Sequence, residues 1–496
     1  MADYDLAVIG GGINGAGIAR DAAGRGLKVV LLEQNDLASG TSSASSKLIH
    51  GGLRYLEHGA LRLVRAALNE REVLLRMAPH LIRPLRFVLP LDPASPVSRS
   101  PVVLRLGLFV YDLIGRRRIL PPTRPLDLIS DEAGQPLRRR FHYGYEYSDC
   151  FADDARLVVV NAIDAAERGA AIRTRTRCVR AERADVWRLI LNAGGKREVV
   201  TARVLVNAAG AWVETVAETV LGRTPPRRLR LDKGSHIVVR RLYDHDRAYI
   251  LQAVDGRVVF AIPFERDFTL IGTTDESFVG DPAVVTPTAQ EIDYLCGVIN
   301  DFFRAAITAA EVVWAFAGVR ALYDDGARKA EDVGRDYKLV LDKRLGEAPL
   351  LTVYGGKLTT FRRLAEDALA RLAHFFPQSR PWTAHASLPG GDFVYDGVPA
   401  LLAETRRQWP FLSDSHARRL VGAYGTRVAS VLNTAARSDD LGPCFGADLT
   451  AAELRYLMDK EWARTADDVL WRRSKLGLHF SAAEKAALAK FMAQRD

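Results

Sequence analysis

Three glycines and one carboxylate near the start of the chain are spaced for holding a dinucleotide. Gly10, Gly12 and Gly15 stand in the run Gly10-Gly11-Gly12-Ile13-Asn14-Gly15, and Glu33 follows 18 positions later. In such a GxGxxG pattern the first glycine permits a tight turn, the second lets backbone approach a pyrophosphate, and the third lets a helix pack on a strand. Unpaired N–H groups and the helix dipole at the helix start favour the diphosphate. Glu33 is placed to accept both ribose hydroxyls, and a carboxylate there disfavours a 2′-phosphate. This unit alone leaves NAD and FAD both open. Two later stretches favour FAD. Residues 204–212 read as a strand ending in Ala208, Ala209, Gly210 and Ala211, which lets the sheet edge approach the adenosine-diphosphate half of the cofactor. Residues 350–360 read as a strand, the turn Gly355-Gly356 and a helix start, whose dipole can stabilise negative charge on a reduced flavin. The chain has no second GxGxxG, so a flavin here takes its electrons directly from an organic substrate.

The elements that hold these groups follow from the hydrophobic pattern. Asp5-Leu6-Ala7-Val8-Ile9 predicts a buried parallel strand, residues 13–23 a helix ended near Gly24 and Gly26, and residues 28–32 a second strand, together a βαβ unit. Strand-like runs at 203–206, 235–239 and 257–262 alternate with helical ones. Residues 84–125, rich in Pro and Arg, read as an excursion from the sheet. From Asp392 onward Ala, Leu, Arg and Glu recur at helical spacing through 400–435 and 451–494. Leu388-Pro389-Gly390-Gly391-Asp392 is the expected linker into a helical C-terminal domain.

Composition bounds the function classes. At 496 residues the chain suits two or three domains of roughly 100 to 200 residues each. A peptide hormone, a lone binding module and a small disulfide scaffold are excluded. Hydrophobic residues at 48% and charged ones at 26% are those of a folded globular chain. Lys+Arg 69 against Asp+Glu 60 gives +9, which favours anionic partners without choosing among them. Cys150, Cys178, Cys296 and Cys444 are far apart and form no CxxC pair, which argues against a disulfide framework or a cysteine-bound metal and fits a reducing compartment. No basic leader precedes the first strand. The longest apolar stretch, 102–115, is broken by Arg105 and Asp112 and is shorter than the ~20 residues that span a bilayer, so membrane contact is expected to be peripheral.

A more specific signal is Thr41-Ser42-Ser43-Ala44-Ser45-Ser46-Lys47-Leu48-Ile49-His50-Gly51-Gly52-Leu53-Arg54-Tyr55-Leu56. With the glycine run, Tyr147-Ser148-Asp149-Cys150, Asp153-Asp154-Ala155-Arg156-Leu157, Lys233-Gly234-Ser235-His236, Ile271-Gly272-Thr273-Thr274-Asp275, Gly318-Val319-Arg320, Gly355-Gly356-Lys357-Leu358-Thr359-Thr360 and the region 461–478, it closely resembles the FAD-dependent sn-glycerol-3-phosphate dehydrogenases. These belong to the glycine and D-amino-acid oxidase-like flavoproteins, and the resemblance covers nearly the whole chain in order. It implies an α/β fold: a Rossmann-like FAD-binding domain (1–83, 151–225 and 348–388), a mixed-sheet substrate domain (84–150 and 226–347) and an all-α C-terminal cap domain (392–496).

The resemblance further implies oxidation of sn-glycerol 3-phosphate to dihydroxyacetone phosphate, with electrons passed from reduced FAD to ubiquinone in a membrane. It assigns Arg54, Tyr55, Thr273, Arg320 and Lys357 to the substrate pocket, and His50 and His236 to the neighbourhood of the flavin. The cofactor site it implies comprises Gly10, Gly12, Asn14, Gly15, Glu33, Thr41, Ser42, Ser46, Lys47, His50, Gly51, Gly52, Ala209, Gly210, Trp212, Gly318, Gly356, Lys357, Leu358 and Thr359, with no metal. Ala321 stands where relatives usually carry Pro, and Ala209 and Ala211 where a Thr and a Pro are common. A homodimer is expected from the same resemblance, the helical C-terminal region being one candidate interface.

The chemistry fits these residue types. A phosphate monoester needs fixed cations with donors aimed at its oxygens, which makes Arg54, Arg320 and Lys357 a clamp, with Tyr55 and Thr273 adding neutral hydrogen bonds. A flavin oxidises an alcohol by taking a hydride from C2 while a base takes the hydroxyl proton. His236 and His50 are the candidate bases, His236 favoured because its segment leaves a glycine turn for a strand expected to reach the cofactor. Arg320 or Lys357 is placed to stabilise a developing alkoxide instead. A peripheral seat on the inner face of the cytoplasmic membrane follows from a lipid-soluble acceptor. Its candidate surfaces are residues 102–118, where Leu104, Leu106, Leu108, Phe109 and Val110 lie beside Arg105, Arg116, Arg117 and Arg118, and the cluster Arg472, Arg473 and Lys475. An oxidase that reduces oxygen stays open as an alternative. A basic RNA-binding flavoprotein is a remote one, since no interleaved aromatic and basic module appears and no nucleic acid is expected.

Overall fold

The apolar run at the N-terminus forms the strand Tyr4–Ile9 (β1), followed by the helix Ile13–Gly24 (α1) and the strand Val29–Leu32 (β2). The computed structural model describes residues 2–53, 61–92, 101–115, 119–225, 229–324, 336–376 and 380–494. β1 pairs in parallel with β2 on one side and with Lys196–Asn207 on the other, and Lys196–Asn207 pairs in parallel with Glu347–Tyr354. Leu6, Val8, Val29, Leu31, Val204 and Val206 are fully buried, as expected for central parallel strands covered on both faces. The eight-stranded sheet runs in the order Lys338–Arg344, Glu347–Tyr354, Lys196–Asn207, β1, β2, Ala171–Arg173, with the hairpin Thr176–Arg183 and Trp187–Ala193 added beside Lys196–Asn207. The helices Asp154–Glu167 and Phe361–Arg371 pack on α1 and share one core with it.

A second, ten-stranded sheet stands beside the first. Toward one end of it lies Leu229–Arg240, which pairs antiparallel with Phe268–Gly272 and with Val312–Tyr323. The expected division of the chain differs from the observed one in two places. Leu48–Ile49 and Ile82–Leu91 already belong to this second sheet, before residue 84. Lys338–Arg344 belongs to the first sheet, because it forms a hairpin with Glu347–Tyr354. The described part of 84–125 lies in the second sheet rather than the first: Ile82–Leu91 and Arg124–Asp127 both pair with Tyr143–Ala152, and the helix Pro101–Ile114 stands between them in the chain. Pro84 and Pro90 disguise this strand. Both lie clear of its short pairing with Ala248–Gln252, which involves Phe87 and Val88, so the missing N–H groups interrupt nothing there.

From Val398 the described chain is helical, with Val398–Gln408, Asp414–Tyr424, Ala451–Glu461 and Ala482–Ala493 around a separate core. This domain is fastened to the first sheet's layer by ion pairs. Glu461 takes Arg156, Asp36 takes Arg473 at 2.7 Å and Arg472 at 2.6 Å, and Asp468 takes Arg175 at 2.8 Å.

Candidate active site

Between the two sheets lies a cavity of about 740 Å³ whose walls come from the β1–α1 turn, the segments that follow β2 and Lys196–Asn207, Val312–Tyr323 and the turn after Glu347–Tyr354. Its dinucleotide end is the turn between β1 and α1. Gly10 there has φ +114°, and a Cβ would meet the Ala208 carbonyl oxygen at 2.5 Å. Gly15 faces away from the cavity: a Cβ on it would lie 1.9 Å from the Gly10 oxygen, so its absence lets α1 pack against the turn. Ser42 Oγ accepts the Ile13 N–H at 3.0 Å, covering one donor of the helix start. Asn14 Nδ2 donates to the Gly355 carbonyl at 3.0 Å and ties the first glycine turn to the last. Glu33 at the end of β2 accepts the Gly11 N–H and the Asn35 N–H, each at 2.7 Å, and its burial raises its pKa.

These residues fit a flavin dinucleotide. The walls carry Gly10, Gly12, Glu33, Thr41, Ser42, Ala209, Gly210, Trp212, Gly318, Gly356, Leu358 and Thr359 in one continuous surface. Asn14 Oδ1 is buried there with no hydrogen-bond partner, an acceptor left for a ligand.

At the other end of the cavity stand His50, His236, Thr273, Arg320 and Lys357. Gly234 brings two of them together: a Cβ there would meet Thr273 Oγ1 at 2.5 Å and Arg320 Nη2 at 3.5 Å. Arg320 Nη2 donates to Asp275 Oδ1 at 2.6 Å, and its Nε is buried without a partner. His236 sits mid-strand, its Nε2 at 2.9 Å from Ser46 Oγ and its ring stacked on Phe316 at 4.9 Å and 8°. Burial, with Lys47 and Arg320 nearby, holds the His236 pKa down to about 3. Burial, with Lys357 and Arg71 nearby, holds that of His50 down to about 4. Both rings are therefore neutral at pH 7 and able to accept a proton.

Other expectations are corrected. Lys47 does not face the cavity: its ammonium is wholly buried on Asp154, at 2.8 Å, and lies over the Phe316 ring. Gly51 and Gly52 shape the loop rather than line the wall, and the Gly51 N–H is held by Tyr111 Oη at 2.8 Å. Arg472, Arg473 and Lys475 form no basic surface, being drawn inward onto Asp36, Asp468 and Asp153. Arg54, Tyr55, Arg116, Arg117 and Arg118 lie outside the described residues. Residue spacing gave no sign of Thr176, Arg177 and Cys178, which line the dinucleotide end from a strand following β2's neighbour. It also missed the network in which Tyr111 donates to Asp149, itself paired with Arg71 at 2.5 Å. Those partners are brought together only by the fold.

Known proteins resemble this chain over its whole length. Residues 5–362 match the family model of FAD dependent oxidoreductases, and residues 381–495 that of the C-terminal domain of alpha-glycerophosphate oxidase. A glycerol-3-phosphate dehydrogenase of Pseudomonas aeruginosa is 50% identical over 99% of this chain and 95% of its own. A D-erythritol 1-phosphate dehydrogenase of Brucella abortus is 48% identical over 98% and 97%. The crystal structure of a glycerol-3-phosphate dehydrogenase from Bacillus halodurans, complexed with FAD, superimposes with a TM-score of 0.79 at 29% identity, covering 99% of this chain and 90% of that one.

Proposed function

We propose, since this chain belongs to the family of FAD-dependent oxidoreductases, that it oxidises the C2 hydroxyl of sn-glycerol 3-phosphate to the ketone of dihydroxyacetone phosphate and passes the electrons to a membrane quinone. One observation carries this reading: the cavity that begins at the glycine turn ends among two cations and two neutral imidazoles. Arg320 and Lys357 supply the charge for a phosphate monoester and Thr273 a hydroxyl, while His236 or His50 accepts the C2 proton. When bound, FAD supplies the two-electron acceptor for the hydride leaving C2. Gly10, Gly12, Asn14 and Glu33 would hold its dinucleotide half, and Gly356, Lys357 and Leu358 its ring end. The test is anaerobic mixing of the purified holoprotein with sn-glycerol 3-phosphate while following the flavin absorbance. Bleaching with this substrate and none with glycerol is expected, and a flavin that stays oxidised sinks the reading.

A second reading concerns chain length only. The Brucella abortus relative is nearly as similar as the Pseudomonas aeruginosa one, which favours D-erythritol 1-phosphate as the competing polyol phosphate. Comparing kcat/KM on the two compounds decides between them.

Quinones reside in lipid, and the helix Pro101–Ile114 offers a surface for reaching one. Val102, Leu106, Phe109 and Leu113 recur at helical spacing and are 75%, 62%, 61% and 67% exposed, with Arg105 exposed beside them, while Leu108 and Tyr111 on the opposite side are buried. An apolar face bordered by a cation suits an anionic headgroup layer. No helix among the described residues is long and apolar enough to cross a membrane. Phe109→Glu combined with Leu113→Glu is expected to abolish co-sedimentation with phosphatidylglycerol vesicles and to leave anaerobic bleaching unchanged.

A further inference from the structure

We propose that Ser46 is a catalytic relay: its hydroxyl takes the proton of the carbinol being oxidised while its own proton passes to His236 Nε2. The inference rests on the activity proposed above.

The placement of the His236 ring argues for an intermediary. His236 lies on Leu229–Arg240 between two partner strands, opposite Gly272 on one side and Phe316 on the other. Phe316 stacks flat on the ring. Gly272 leaves the room it occupies, for a Cβ there would lie 2.2 Å from Cδ2 of the imidazole. The ring is thus wedged in place, and only 3% of His236 is exposed. Among the described residues the ring bonds Ser46 Oγ, at 2.9 Å, and Nδ1 has no partner. Ser46 belongs to a separate segment, stands at the cavity wall beside His236 and is only partly buried, so its hydroxyl faces the cavity while bonded to Nε2.

A serine hydroxyl donates one hydrogen bond and accepts others, and one torsion reorients it, so it can receive a proton as it gives one up with no net change in charge. The charged groups around the ring are Lys47, Arg320 and Asp154. Lys47 is held by Asp154, which leaves Arg320 as the cation that an arriving phosphate would neutralise. The balance is closed: the C2–H electron pair leaves as the hydride, the C2–O bond becomes a carbonyl, the substrate proton ends on Ser46, and the former Ser46 proton ends on Nε2. In this scheme His236 is the base and never touches the substrate.

The test uses the FAD-loaded enzyme and Ser46→Ala, Ser46→Thr and Ser46→Cys. Expected for Ser46→Ala are an unchanged FAD content and an unchanged Kd for dihydroxyacetone phosphate, read from the shift of the flavin absorbance. Its limiting rate of anaerobic bleaching falls by about 100-fold or more, within the range of a lost proton-transfer partner. The dependence of that rate on the deuterium fraction of the solvent is curved in the wild type, where two protons move, and linear in Ser46→Ala. Ser46→Thr restores both rate and curvature. Bleaching of Ser46→Ala at the wild-type rate overturns the relay. So does a loss that in both Ser46→Ala and Ser46→Cys merely follows lost FAD or weakened product binding. A wild-type flavin bleached by neither sn-glycerol 3-phosphate nor D-erythritol 1-phosphate overturns the activity and the relay with it, whereas a bleached wild type beside an equally fast Ser46→Ala overturns the relay alone.

Discussion

In the proposed reading, Arg320 is the side chain on which substrate selection depends most directly. Asp275 holds its Nη2 at 2.6 Å, which fixes the guanidinium plane, while Nε is buried and unpartnered beside the cavity. A fork held on one edge and open on another is matched to phosphate oxygens, whereas an ammonium on the same charge count offers no plane to hold. Arg320→Lys is therefore expected to keep its FAD but to lose about 10- to 100-fold in kcat/KM for sn-glycerol 3-phosphate, a loss carried mainly by KM. Steady-state turnover with a short-chain quinone measures it, and a KM unchanged in the variant refutes the assignment. The two imidazoles show why burial matters as much as residue type. Placed in water, His50 and His236 would titrate near neutrality; here desolvation and neighbouring cations keep both uncharged, which leaves each a ring lone pair and adds no positive charge to the cavity, though each is a weaker base than in water.

Among the elements, the β1–α1–β2 unit was the most legible in sequence, because its evidence is local. A buried run, three glycines at fixed offsets and a terminal carboxylate specify one turn, and the observed strand and helix bounds fall within a residue or so of those expected. Gly15→Ala tests the tightest point of that unit. The new Cβ would overlap the Gly10 carbonyl, so α1 must move off the sheet and the turn must open. The variant is expected to be purified colourless, without flavin absorbance, and a yellow protein with normal FAD content contradicts the packing role. What sequence could not show is long-range pairing. Pro84 and Pro90 hid the pairing of Ile82–Leu91 with Tyr143–Ala152. Arg472, Arg473 and Lys475 looked like a basic surface because their acidic partners, Asp36, Asp153 and Asp468, approach only after folding. Lys47, inside a motif that lines the cofactor cavity, is turned away from it for the same reason: Asp154, far along the chain, claims it.

The junction between the sheet layers and the C-terminal domain governs how the assembled chain answers acid. His80 lies there, buried against Gly390 and Gly425, with both ring nitrogens lacking partners among the described residues. Burial, with Arg156 and Arg427 nearby, holds its pKa down to about 3. An imidazole whose pKa falls on folding is protonated in the unfolded chain first. As the pH drops below about 6.5 the unfolded state binds the extra proton, and stability declines until the folded pKa near 3 is reached. His236 adds to the decline in the same direction, whereas Asp149, raised to about 6 by burial, opposes it between its unfolded and folded values. His80→Phe removes one proton site at the junction while keeping an aromatic ring against Phe393. Between pH 7 and pH 5 the wild type should lose about 2 kcal/mol more than this variant, on the order of 1.4 kcal/mol for each pH unit below the unfolded pKa. Urea unfolding at the two pH values, followed by flavin release and by tryptophan fluorescence, measures the difference. Equal losses in both proteins would mean that His80 already carries a proton or a bound water partner in the folded state, and that the acid response of the junction rests on its ion pairs instead.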